Sequence, residues 1–179
     1  MDSRRGHALA VSAVLLCTAA ASLPLWDKIR NEIAVRLPDA PDGAVDIGAA
    51  IGWSTALLAN LATVGVLAAV FGVTGAAAAR WAAPGSDFTR ARRAFTVAWL
   101  GFVLTKLIGT ALVAPLFGWV DAADAVPTLT RFDGWIGLLA AALLGTGRAV
   151  VRAPWPRAAA VATGLSALYA GTLLLLPAT

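Results

Sequence analysis

The sequence predicts an all-α fold: a polytopic transmembrane helical bundle of five spans, with a short amphipathic helix on the outer face. Three observations predict it. Hydrophobic residues make up 59% of the 179 residues and charged residues only 13%, about half the share of an average soluble domain. The apolar residues gather in five stretches, at about 7–25, 49–76, 94–119, 134–150 and 158–177, and about 20 apolar residues cross the hydrocarbon core of a bilayer. The third observation is where the charges fall between them. Threading the five stretches through a bilayer puts Arg4, Arg5, Arg80, Arg90, Arg92, Arg93, Arg148, Arg152 and Arg157 on one side, with only Asp2 and Asp87 opposing them. The other side holds Lys28, Arg30, Arg36 and Arg131 among Asp27, Glu32, Asp39, Asp42, Asp46, Asp121, Asp124 and Asp133. Cytoplasmic loops are enriched in Lys and Arg, which orients the amino end inside and the carboxyl end outside a cytoplasmic membrane. Spans and short loops consume the chain, so one integral membrane domain over 1–179 is expected.

The first stretch follows Arg4 and Arg5, and Ala19, Ala20 and Ala21 imitate a signal-peptide cleavage site. Pro24, Leu25 and Trp26 carry the apolar run past that point, which favours an uncleaved span. Residues 26–37 come next. Trp26, Ile29, Ile33 and Leu37 recur at helical spacing, and Asp27, Lys28, Asn31 and Glu32 lie off that stripe. Such a segment lies flat on the outer surface with its tryptophan at headgroup depth; the competing reading is a helical extension of the first span, bent at Pro24. Pro38 and Pro41 end it.

The second stretch carries Gly48, Gly52, Ala56, Asn60 and Thr63 along one side, and the third carries Gly101, Thr105 and Gly109. Small residues in such rows let helices approach closely in a membrane. Between these stretches, Pro84-Gly85 marks a turn. Ser86 or Asp87 is placed to cap the following helix, which puts Arg90 and Arg93 on one face. Residues 121–133 form an acidic outer loop. The fourth stretch, at 17 residues, is at the short end for a span; it is needed to keep Arg148, Arg152 and Arg157 inside. Pro154 and Pro156 stiffen the last turn. Trp26, Trp53, Trp81, Trp119, Trp135 and Trp155 fall near stretch ends, as in an aromatic belt, and Trp99 lies deeper.

Composition excludes several classes. A sequence pI near 10.2 points to nucleic acid in a soluble protein, but here the arginine asymmetry accounts for it. The partners it implies are anionic headgroups near Arg90, Arg92, Arg93, Arg148, Arg152 and Arg157, and no nucleic acid. One cysteine, Cys17, and one histidine, His7, offer neither a disulfide framework nor a metal-ligand set, so no metal and no cofactor is expected. No nucleophile elbow, His-Glu-x-x-His or phosphate-binding loop is present. The expectation is a protein that is not an enzyme, without catalytic residues.

Lys106 is the outlier. It sits midway along the third stretch, where an ammonium costs about 2.5–3.5 kcal/mol on insertion scales. Counting depth along each stretch places Asn60, Ser166 and Tyr169 at the same level, the last two on one helix face. These four residues are the candidate intramembrane polar layer. None of the other three cancels a positive charge, so the amine is either held uncharged or met by a carboxylate or phosphate from a partner. A plain packing role, tied to carbonyls and water, is the alternative.

The layout of five spans, the stretch from Pro84 through Arg90, and Gly147-Arg148 closing the fourth helix before a short turn to Arg157 together resemble the Yip family of small five-span membrane proteins. The resemblance covers about residues 50–176. It implies membrane organisation, trafficking or accessory roles, and that family has no shared catalytic residues to transfer. The function expected is therefore an accessory or scaffold subunit of a cytoplasmic-membrane complex, partnered by another membrane protein or by copies of itself. The alternatives are a small transporter or channel component, or a lipid-handling protein, built on the Lys106 layer.

Overall fold

The structure is a computed structural model that describes residues 3–113 and 135–175, with side chains described over 11–19, 26–109 and 135–173. The acidic loop at 121–133, the far end of the third stretch with Trp119, and residues 176–177 lie outside the described residues. All regular structure among the described residues is helical: α1 (Ser3–Arg36), α2 (Asp42–Ala82), α3 (Phe88–Val113), α4 (Trp135–Ala149) and α5 (Trp155–Leu175). The first two apolar stretches lie within α1 and α2, and the described residues of the other three fall in α3, α4 and α5, except Val150 in the turn after α4. Of these, α2 is long and apolar enough to cross a membrane by length and composition, and α4 is apolar but shorter, at 15 residues.

α2 and α3 form the centre. α1 lies against both, α4 packs on α3, α5 packs on α2, and α4 and α5 pair with one another. The α2–α3 crossing is close because α2 presents glycine there. A side-chain carbon on Gly75 would sit 2.5 to 2.9 Å from the Phe95 side chain, and one on Gly72 would collide with the Thr96 hydroxyl. Ala68, Ala76 and Ala79 are buried on the same helix. Phe71, fully buried, fits beside this row and stacks on Trp99 of α3 with ring centroids 4.3 Å apart and planes 15° from parallel. Offset stacking of this kind adds to the burial of two large apolar surfaces.

Residues 26–37 do not form a separate helix on the outer face. α1 continues unbroken through Pro24 to Arg36, and its last turns lie along the start of α2. The cause is a match of shapes: Ile33 occupies the groove left by Gly48, and Ile29 the groove left by Gly52. Trp26 meets Trp53 edge to face at 6.5 Å, and the Arg30 Nε donates to Asp46 at 2.7 Å. Asp46, by that hydrogen bond and its charge, holds the Arg30 guanidinium protonated above even its usual range. Three of the four residues in the apolar stripe, Trp26, Ile29 and Ile33, thus pack on α2, and Leu37 is exposed.

The two other small-residue rows divide. Gly48 and Gly52 face α1, whereas Asn60 and Thr63, further along the same row, are exposed. On α3 only Gly109 meets a neighbour, the Trp135 ring at the start of α4; Gly101 and Thr105 are exposed.

The connections from α2 to α3 and from α4 to α5 are tight turns. Ser86 N–H donates to the Ala83 carbonyl at 3.1 Å, with Gly85 at φ 95°, the geometry that Pro-Gly favours at the centre of a type II turn. Asp87, not Ser86, caps α3: its Oδ1 accepts from Thr89 N–H at 2.8 Å and Arg90 N–H at 3.3 Å. Between α4 and α5, Ala153 N–H reaches the Gly147 carbonyl at 3.0 Å, and Arg152 takes φ 61° to close the turn. Pro156 then sits in the first turn of α5, where its missing N–H leaves no intrahelical bond unmade.

Candidate functional site: a lysine on an aromatic cluster and an arginine face

Trp99, Phe102 and Lys106 are spaced three and four apart on α3, which stacks them on one side of the helix. Tyr169 comes to that side from α5. Its ring stands edge-on to Trp99 and to Phe102, each at 5.4 Å between centroids. Lys106 lies at the end of this cluster. Its Nζ donates to the Tyr169 hydroxyl at 2.8 Å and lies 5.4 Å from the Tyr169 ring centre and 6.0 Å from that of Phe102. An ammonium within about 6 Å of an aromatic face gains from the ring quadrupole, more so where water is displaced. The Lys106 side chain is half-buried, while Tyr169 is 5% exposed.

Ser166, one turn before Tyr169 on α5, is 5% exposed. Among the described residues its Oγ has no hydrogen-bond partner, and neither does the buried Trp99 Nε1. A buried donor left unmatched costs roughly 1–3 kcal/mol, so these two atoms are a local cost within the packing around Tyr169.

Of the four residues placed in one layer by depth, Lys106, Tyr169 and Ser166 lie in this region. Asn60 does not. It is exposed on α2, and the α2 residue that reaches the cluster is Phe71, about 16 Å further along the helix axis. α2 meets α3 not at the midpoint of the apolar stretch but further along, where Gly72 and Gly75 admit the side chains of Thr96 and Phe95. Sequence reasoning also left out Trp99, Phe102 and Phe71. The three- and four-residue spacing from Trp99 to Lys106 was the available signal.

The arginines expected at anionic headgroups separate into two groups. Arg148 donates to the Ala153 carbonyl at 2.7 Å and lies 5.0 Å from the Trp155 ring centre. Arg157 donates to the Ala82 carbonyl at the end of α2, at 3.3 Å, and lies 5.9 Å from Trp81. Arg157 is held by a carbonyl at the end of α2 and Arg148 by one in the α4–α5 turn, each beside an indole face, which is structural work. The guanidinium groups of Arg90, Arg92, Arg93 and Arg152 make no hydrogen bond or ion pair among the described residues, and all four side chains are exposed.

Comparison with protein-family models, with characterised proteins and with solved structures finds no match for this chain.

Proposed function

We propose that this chain is a five-span protein of the cytoplasmic membrane, amino end inside and carboxyl end outside, that works as a non-catalytic accessory or scaffold subunit. The observation that carries the reading is α2. It is 41 residues long, about 60 Å, and only 17% of its most apolar window is buried within the chain. The core helix of a soluble domain hides such a surface. Here Leu58, Val66 and Val73 are exposed at 66%, 62% and 47%, as helices facing lipid are. The arginine asymmetry and the Trp26–Trp53 pair support the same placement, the pair lying where an outer headgroup layer would fall.

The hydrocarbon core spans about 30 Å, so α2 is twice as long as a crossing needs. Its surplus projects with the end of α1 as a clamped hairpin. Val35, Ile47 and Ile51 are exposed on that hairpin, and apolar side chains beyond the lipid favour contact with another protein. The weak likeness to the Yip family points to the same class of role. Purification in a mild detergent, with mass spectrometry of what accompanies the chain, tests the reading: a stoichiometric membrane companion is expected.

A second reading has its own observation. The Lys106–Tyr169 pair stands beside the unmatched Ser166 and Trp99 donors, which suits a small transporter or lipid-handling protein acting on an anionic or carbonyl-bearing group. A clean homo-oligomer, or a tightly bound lipid in place of a companion, would favour it.

A further inference from the structure

We propose that the cleft between the start of α3 and the α4–α5 turn is a binding site for a phosphate ester, gripped by Arg90 and Arg152. The cleft has a volume of 330 Å³ and is lined by Gly85, Ser86, Asp87, Arg90, Val151 and Arg152, among others. That is room for a phosphate-bearing headgroup or small phosphate ester, and too little for acyl chains.

Two arginines from segments far apart in sequence converge on it, and neither guanidinium has a hydrogen-bond or ion-pair partner among the described residues. Asp87 shares the cleft but does not neutralise them through an ion pair. Its Oδ1 faces the α3 amides of Thr89 and Arg90. Two arginines lining one cleft suit a tetrahedral oxyanion, which a planar guanidinium can hold through paired N–H donors.

The backbone gives an independent indication. Arg152 is the one non-glycine residue among those described with positive φ, at 61°, a conformation that L side chains disfavour and glycine adopts freely. The turn by itself calls for glycine at this position. An arginine held there against its preference is a residue whose side chain is used. Ser86, on the wall opposite, has a buried Oγ without a partner among the described residues, so a donor remains there for a seated group.

The same chemistry serves an anionic phospholipid headgroup and a free phosphate ester. The lipid source rests on the five-span reading, which places this cleft at the inner headgroup level; the phosphate source does not. The test uses the full chain in mild detergent. Native mass spectrometry with added phosphatidic acid or phosphatidylcholine reads retained lipid, and calorimetry reads inorganic phosphate. Arg152→Gly removes the side chain while suiting the turn, Arg90→Gln removes the second charge, and Arg93→Gln is the control on the same face outside the cleft.

Phosphatidic acid is expected to be retained over phosphatidylcholine, with binding about tenfold weaker in each cleft variant and unchanged in Arg93→Gln. Inorganic phosphate binding that falls in the same variants identifies a site for free esters as well, and lipid retention alone identifies a headgroup site. Wild-type binding by both cleft variants, or an equal loss in Arg93→Gln, overturns the proposal. So does a lower unfolding temperature for Arg152→Gly without any anion, because the side chain then serves the turn. Failure of the five-span reading shows separately, in the position of topology reporters.

Discussion

Gly75→Ala is expected to destabilise the protein, although alanine is the better helix former. Propensity alone favours alanine by about 1 kcal/mol inside a helix. Against that, the new methyl carbon would lie 2.5, 2.8 and 2.9 Å from Cγ, Cδ2 and Cβ of Phe95. Carbon atoms in good contact are about 3.5–4.0 Å apart, so the deficit is close to 1 Å. Phe95 is fully buried and has nowhere to turn. Overpacking of this kind costs about 1–3 kcal/mol, and the side-chain contact at Gly72 keeps α2 from sliding to relieve it. The net expectation is a loss of about 1–2 kcal/mol. Gly65→Ala is the internal control, because Gly65 lies on the same helix with nothing within 4 Å of an added carbon. It should be neutral or slightly stabilising. Unfolding by added dodecyl sulfate in mild detergent, followed by tryptophan fluorescence, reads both variants; Trp99 reports directly because it stacks on Phe71. Combining Gly75→Ala with Phe95→Leu should recover part of the loss, since the two side chains are in contact. Equal stability of Gly75→Ala and Gly65→Ala would refute the close α2–α3 crossing.

Gly109→Leu should drive the Trp135 ring off α3 and loosen α4, and Gly52→Leu should push Ile29 away from α2; Gly101→Leu, with open space around it, should be silent in the same unfolding assay. Lys106→Met separates the readings of the lysine. Neutral or mildly higher stability with unchanged co-purification means packing only. Loss of a companion with the chain still folded means that a partner's acidic group is left buried and unpaired, and loss of transport alone, partly restored by Lys106→Arg, means a path for anionic solutes. Tyr169→Phe removes the acceptor of the Lys106 hydrogen bond while keeping the ring and should reproduce a milder form of whichever outcome holds. A reporter fused at the carboxyl end should read outside and one inserted in the 85–93 loop inside; a carboxyl end in the cytoplasm would overturn the five-span reading.

Helices were legible in this sequence because long apolar runs have few other ways to satisfy their backbone. Over its described residues each of the five stretches falls in one helix, apart from Val150, and the Pro84-Gly85 turn and the cap after it stand where turn chemistry puts them. What periodicity could not supply was the partner of each face. The stripe of Trp26, Ile29 and Ile33 fits a membrane surface and a helix groove equally well. Only Gly48 and Gly52, brought opposite by the chain reversal at Pro38 and Pro41, decide between them. Asn60 illustrates the same limit: depth counted from the ends of an apolar run assumes that neighbouring helices meet at their midpoints, and α2 meets α3 further along, at Gly72 and Gly75.

Charge asymmetry and hydropathy therefore determined, from the sequence alone, that the chain is helical, which of its loops are arginine-rich, and that Lys106 interrupts an apolar stretch. Both are sums over neighbouring residues and need no knowledge of contacts. The tertiary structure decided that Tyr169 and an aromatic cluster receive Lys106. It also decided that Arg148 and Arg157 are tied to carbonyls and indoles, and that Arg90 and Arg152 face one cleft. Except at Arg148, whose carbonyl partner is five residues away, those outcomes depend on which helix faces meet across gaps of 60 residues or more, and that is set by the packing of glycine grooves and aromatic rings rather than by any local pattern.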